Sequence, residues 1–499
     1  MPTKPTTEVW NDYLESFTPV APSYIGTDPD FLDFEYYIAR YKDTRLGLRY
    51  TFEIFGDQPS NGYPLFIGLH GGGGGDPAVN DGQWKMMATR LYGLNVEKYV
   101  KQGVYIAVRG LTRRGEKDTW NLHFNSETYF LLQQLIRNMF LKMPVEAAGR
   151  RDIQFSPANF VDPNRVFVLG FSAGGDGVYR LATVLSDVFA AASMGGGHPG
   201  SAVLSNLANV PICLSVGQWD GDENPQGEAS RNVVTPEVAT KLGQLQLSKP
   251  GYYNFEIFVH PTPFNLNSGS TGKPRSHNSW MRNHLTDEPR PIIGKWDDIK
   301  SWHDDTKRNN TDPKLYIDKN TCAVTWLNGR DGKLRKRDPV PPFVSWDVSP
   351  RKASEPEPAL PLEWGSYRFS YWLAVDTKPV QETYNALQQS GIIDPDFVIR
   401  ATYDKDKNEI WVQQTPTPVI ILLNDKIIKD LSKPINLFHG RTRQPVKPVA
   451  VTQDYAIQYS TLLARGDPNY IFSASIVFDP VTATAKDGGS QLFAVRPKL

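Results

Sequence analysis

Cysteine is almost missing from this chain: 499 residues hold two, Cys213 and Cys322. Two cysteines cannot build a disulfide framework or a cysteine metal site. Cys213 lies in the apolar run Ile212–Val216 and reads as a small core residue. An excess of one charge is missing too, since 54 Lys and Arg balance 54 Asp and Glu. A general polyanion binder needs a basic face that this composition does not supply. Long hydrophobic runs are absent: stretches such as Val166–Leu169 fall far short of the roughly 18 residues of a membrane span. Met1–Val20 carries Glu8, Asp12 and Glu15 and no apolar stretch, so it does not read as a signal peptide. We therefore expect no nucleic-acid partner, no membrane span, no metal and a cytoplasmic location.

What is present is enough for sizeable cores. Hydrophobic residues make up 40% of the chain, and 40 glycines with 39 prolines make it rich in loops without reaching a disordered composition. The length favours two domains. Leu65–Leu69, Tyr105–Val108, Val166–Leu169 and Ile212–Val216 are short apolar or nearly apolar runs, as strands covered on both faces require, and Phe255–Val259 reads as another strand. Helical periods lie between them, at Leu132, Leu135, Ile136, Met139 and Met143, and at Val178, Leu181, Ala182 and Leu185. The alternation predicts an α/β fold with a mostly parallel sheet over residues 36–310, after an N-terminal extension 1–35. From 311 to 499 short β-like runs dominate: Val324–Leu327, Phe343–Val348, Phe369–Val375, Phe397–Tyr403, Ile410–Gln413, Val419–Leu423 and Tyr470–Phe478. One helical stretch, around Tyr455–Leu463, interrupts them. A second, β-rich and sandwich-like domain is expected there. Arg330–Arg337, with three arginines and two lysines, reads as a solvated loop, and Arg465-Gly466-Asp467 as an ordinary turn.

Gly170-Phe171-Ser172-Ala173-Gly174 stands between an apolar run and a helical period. Strand, tight turn, helix is the context a G-x-S-x-G nucleophile elbow requires, with the hydroxyl held out from the sheet's carboxyl edge. His70 followed by Gly71 to Gly75 comes directly after Leu65–Leu69. A side-chain-free loop there lets a backbone N–H approach a developing oxyanion. No Lys-Ser/Thr follows these glycines, which argues against a phosphate-binding loop. The oxyanion hole is assigned to the N–H of Ala173 with one from Gly71 or Gly72, and His70 to orienting the loop.

A serine nucleophile needs a base held by an acid, in the chain order Ser, acid, His. Acids follow the run Ile212–Val216: Asp220 first, then Asp222 and Glu223. For the base, His277 in a polar loop is preferred to His260 at a strand end and to His198 in Gly197-His198-Pro199. His198, Trp84 and Trp120 are candidate pocket walls, ordinary packing being the other reading of each tryptophan.

With its glycine loop, its elbow extended to Gly170–Gly177 and Gly196-Gly197-His198-Pro199, the chain resembles α/β-hydrolases of the polyhydroxybutyrate depolymerase and feruloyl esterase type. Carboxylesterase/phospholipase-like hydrolases share much of the pattern. The resemblance covers roughly residues 36–290. It implies a Ser172–His277–Asp220 triad, no cofactor, and a small-molecule or polymeric ester as substrate. A serine esterase is the expected function. A peptidase or amidase of the same fold, and a non-catalytic binding protein on a hydrolase scaffold, are the alternatives.

Overall fold

The computed structural model describes residues 1–16, 23–24, 34–41, 44–72, 77–88, 100–111, 126–140, 160–217, 231–260, 325–329, 331–349, 368–390, 392 and 396–489. Among these, nine strands form the first sheet: β1 (Ser23–Tyr24), β2 (Phe34–Tyr41), β3 (Thr44–Phe55), β4 (Tyr63–Leu69), β5 (Gly103–Val108), β6 (Val161–Phe171), β7 (Ala191–Gly195), β8 (Ile212–Gly217) and β9 (Phe255–His260). Their order is β1-β2-β3-β5-β4-β6-β7-β8-β9. From β5 to β9 all neighbours are parallel, and β3 runs against β2 and β5. Every residue of β4 and β5 is buried, as their unbroken apolar sequence demands of strands with both faces covered.

The helices are α1 (Thr6–Ser16), α2 (Pro77–Met86), α3 (Ser126–Phe140), α4 (Ala173–Val184), α5 (Arg231–Ser248), α6 (Thr377–Gln389) and α7 (Tyr455–Arg465). The described apolar positions of the two expected helical periods are all buried. Sequence reasoning missed α5, because Pro236 lies inside it and reads as a breaker. Burial of Val238, Ala239 and Leu242 against the sheet outweighs that cost. No described helix is long and apolar enough to cross a membrane.

After β4 the chain crosses to β5 on one side; after β6 it crosses to β7 on the other. The carboxyl ends of adjacent β4 and β6 thus form a topological switch point, where connections diverge and leave a crevice. Register pairs Leu69 with Gly170, so the glycine loop and the elbow leave the sheet side by side.

Ten further strands make two five-stranded sheets: β10 (Phe343–Asp347), β11 (Phe369–Ser370), β12 (Leu373–Ala374), β13 (Val398–Asp404), β14 (Glu409–Gln414), β15 (Val419–Leu423), β16 (Asn436–His439), β17 (Gln444–Pro445), β18 (Ala474–Asp479) and β19 (Thr484–Asp487). The orders are β10-β13-β14-β16-β17 and β11-β12-β15-β18-β19. Alternate residues of the first (Val344, Ile399, Ala401, Ile410, Val412) and most of β15 and β18 enter one apolar core, so this part is a β-sandwich.

Three expected strands differ. The described part of Val324–Leu327 is a 3₁₀ turn, Thr325–Leu327, whose Trp326 and Leu327 pack into the first core. Phe369–Val375 breaks at Tyr371, which has φ 55°. Tyr470–Phe478 becomes a strand only at Ala474. Helix α6 was not foreseen; its N-cap Asp376 accepts from Lys378 N–H.

Contacts cross the boundaries expected at residues 36 and 311. Val9 and Tyr13 of α1 pack with Leu462 and Ile471 at α7. Phe343 of β10 belongs to the first core. Arginines of the segment expected as a solvated loop and of the one expected as an ordinary turn also bridge the parts. Arg337, expected in a solvated loop, is nearly fully buried; it bonds Asp467 Oδ2 at 2.7 Å and also donates to Asp187 O across the boundary. Arg465 is equally buried and pairs with Asp187, just beyond α4. Gly466 does make the expected turn, as the left-handed cap of α7.

Candidate active site

Strand β6 ends at Phe171 and α4 starts at Ala173, leaving Ser172 alone to reverse the chain. It does so at φ 56°, ψ −120°. That is the first central conformation of a type II′ turn, normally held by glycine, and it costs an L-residue about 1–3 kcal/mol. Two bonds fix it: Ser172 N–H donates to Gly195 O at 2.8 Å, and Asp176 N–H donates to Ser172 O at 3.0 Å. The flanking glycines are dictated by crowding. A Cβ on Gly170 would overlap Gly174 O, and one on Gly174 would overlap Leu69 O. Ser172 does not cap its own helix with its side chain. Since glycine adopts this conformation freely, Ser172→Gly is expected to be more stable than Ser172→Ala by about 1 kcal/mol. Urea midpoints check this; equal midpoints would mean the turn is unstrained.

The glycine loop meets the elbow directly. A Cβ on Gly71 would stand 3.1 Å from Ser172 Cβ and 3.0 Å from the Phe171 ring. His70 beside it is fully buried, and its two ring nitrogens have opposite roles. Gly110 N–H donates to Nε2 at 3.0 Å, so Nε2 is the bare nitrogen. Nδ1 therefore carries the proton and donates to Gly71 O at 2.7 Å. In a trans peptide the next N–H points away from the carbonyl. His70 thus turns Gly72 N–H away from itself, and Gly72 takes φ 102° to follow. At the start of α4, Ala173 N–H is among those with no acceptor inside the helix.

Burial pushes the His70 pKa down to about 4, with the Gly71 bond opposing and the Arg109 charge assisting. An unfolded histidine titrates near 6.5. Above pH 6.5 neither state binds the proton, and His70 adds no pH dependence. Between 6.5 and about 4 only the unfolded chain takes it up, so this contribution to stability falls by about 3 kcal/mol as pH drops. In denaturant midpoints measured against pH, His70→Asn is expected to lose that part of the slope. Identical slopes would refute the neutral, buried imidazole.

Trp84 is a core residue, its Nε1–H donating to Ala107 O at 2.7 Å. His198 is half-buried, and its backbone N–H donates to Asp176 Oδ1 at 2.6 Å. Asp176, in the first turn of α4, thereby ties the loop after β7 to the elbow, a role no motif signalled. Arg109, one residue beyond β5, bonds Asp81 and was likewise missed. His260 ends β9 in register with Gly217. Asp220, Asp222, Glu223, His277 and Trp120 lie outside the described residues. Among the described residues no cluster suits a metal ion.

No family model and no curated protein matches this chain. Solved structures do. A thermostable esterase is similar at 19% identity and a TM-score of 0.32, over 50% of this chain and 59% of that one. The BES protein from Bacillus cereus is similar at 11% and 0.32, over 54% and 97%. Acetyl xylan esterase 1 from Thermoanaerobacterium sp. is similar at 15% and 0.28, over 52% and 88%.

Proposed function

We propose that the protein is a serine hydrolase of the α/β-hydrolase fold that cleaves carboxylic esters through an acyl-enzyme. The observation that carries this reading is the strained backbone of Ser172 at the switch point. A serine kept where glycine belongs has a reason to be there, and a nucleophile elbow is that reason. The strand order agrees, with the antiparallel strands β1, β2 and β3 beside a parallel run and the serine after a central strand.

In this reading Ser172 Oγ attacks the acyl carbon. The N–H of Ala173, with that of Gly71 or Gly72, receives the negative charge that develops on the carbonyl oxygen. His277 takes the serine proton and gives it to the leaving alcohol, then activates the water that frees the acid. Asp220, three residues past the end of β8, holds the imidazole. His277 is favoured over His260 because β9 is three strands from β6. At strand spacings of ~4.8 Å that is roughly 14 Å of backbone separation, which a loop bridges more readily than a strand end.

The triad supplies nucleophile, base and acid, so the mechanism calls for no metal or organic cofactor. The substrate is a small or polymeric ester; amide cleavage by the same groups is the second reading, and a binding protein without activity the third. A fluorophosphonate probe tests the set. Covalent labelling of the wild type but not of Ser172→Ala supports the hydrolase. An unlabelled wild type that hydrolyses no ester supports the binding protein. Comparing p-nitrophenyl esters with the matching anilides separates esterase from amidase.

A further inference from the structure

The geometry points to Arg109 as the positioning residue of the proposed oxyanion loop, an assignment that rests on the hydrolase reading above. Both flanks of the glycine segment are tied to one dipeptide, Arg109-Gly110. On the first flank, Gly110 N–H donates to His70 Nε2 and His70 in turn holds Gly71 O. On the second, Arg109 Nε–H donates to Asp81 Oδ1 at 2.6 Å. Asp81 sits on α2, the first helix after the glycines. The dipeptide itself stands on the sheet: Arg109 N–H donates to Arg49 O at 2.9 Å, continuing the β3–β5 ladder one residue past β5. Sheet, dipeptide and both loop flanks thus form a closed frame.

The burial of the two partners shows which one is built in. The Arg109 side chain is 7% exposed, while that of Asp81 is 41% exposed. A surface ion pair contributes little to stability. Here the pair joins the middle of α2 to the carboxyl end of an interior strand, and its contribution is geometric. Oxyanion donors act only when aimed at the position the charged oxygen will occupy. Ground-state ester binding makes no such demand. Loosening the frame therefore costs transition-state stabilisation and spares substrate affinity.

Arg109→Met in the full chain is expected to lower kcat roughly 10–100-fold, with KM within about twofold. Asp81→Ala, at the more exposed end, is expected to reproduce the loss without threatening the fold. Asp81→Asn keeps an oxygen for the Nε–H and is expected to retain most of the activity. Inhibition by phenylboronic acid, whose serine adduct carries a tetrahedral oxyanion, weakens in proportion to kcat. A merely structural role would lower the melting temperature and leave the ratio of boronate affinity to KM unchanged. Wild-type kcat and boronate affinity in both Arg109→Met and Asp81→Ala overturn the assignment. So does a loss in KM alone. Amide hydrogen exchange at Gly71 and Gly72 decides the frame independently of turnover: faster exchange in Arg109→Met supports it, and unchanged exchange overturns it. If Ser172 takes no label in a wild type without esterase activity, the hydrolase reading has failed, and that exchange result still decides whether Arg109 positions the loop.

Discussion

Replacing Ser172 by Ala is expected to lower ester turnover by roughly 10⁴–10⁶-fold, the scale on which nucleophile deletions act. The fold should survive, since alanine removes one hydroxyl that caps no helix and leaves the strained turn in place. Circular dichroism and urea midpoints close to wild type, together with turnover at background, are the expected pair of results. More than about a tenth of wild-type turnover on every ester would sink the nucleophile assignment, because deleting the attacking group cannot cost so little. Extending the series separates the histidines. His277→Ala should match Ser172→Ala in kcat, and His260→Ala should not. The reverse pattern would move the base to the end of β9.

The elbow was legible in the sequence because its geometry leaves so few residue choices. Gly170 and Gly174 face backbone oxygens with no room for a Cβ, so the motif records a crowding that any such turn must obey. The strands β4, β5, β6 and β8 were legible for a similar reason, since burial on both faces requires short apolar runs. Arg109 was not legible. Its partner Asp81 lies 28 positions away, and nothing local distinguishes a bracing arginine from a solvated one. Helix α5 was hidden by Pro236, and the break at Tyr371 by apolar neighbours that read as a continuous strand. Tyr371 gives up the strand for two distant bonds: its hydroxyl donates to Ser186 O at 2.6 Å and its N–H to Asp187 Oδ2 at 3.4 Å. Tertiary contacts outweighed local preference at each of these positions.

Asp187 gathers the least legible feature of the molecule, and its loss is expected to be the costliest for stability. Its carboxylate pairs with Arg465, 278 positions away, and its backbone carbonyl accepts from Arg337 and from Tyr470 Oη, the latter at 2.7 Å. Arg337 also holds Asp467, and the Arg465 guanidinium lies 3.8 Å from the centre of the Tyr470 ring. Two aspartates and two arginines are thus buried together between the α/β part and the β-sandwich, with their charges in balance. Deleting one charge leaves its partner buried and unpaired. Asp187→Ala should therefore cost about 3–5 kcal/mol in full-chain denaturation. Removing the arginine as well, in Asp187→Ala with Arg465→Met, replaces the ion pair by apolar packing and should recover more than half of that loss. Equal losses in the single and double variants would show that the pair is not what Asp187 contributes. The same burial bears on the separability of the two parts. A fragment ending near residue 315 lacks Trp326, Leu327 and Phe343 from the first core, and lacks Arg337 and Arg465 beside Asp187. It should aggregate rather than retain hydrolysis, as a large apolar junction with a stranded buried carboxylate predicts. A soluble fragment with full activity on a small ester would instead make the β-sandwich an accessory to a self-sufficient hydrolase.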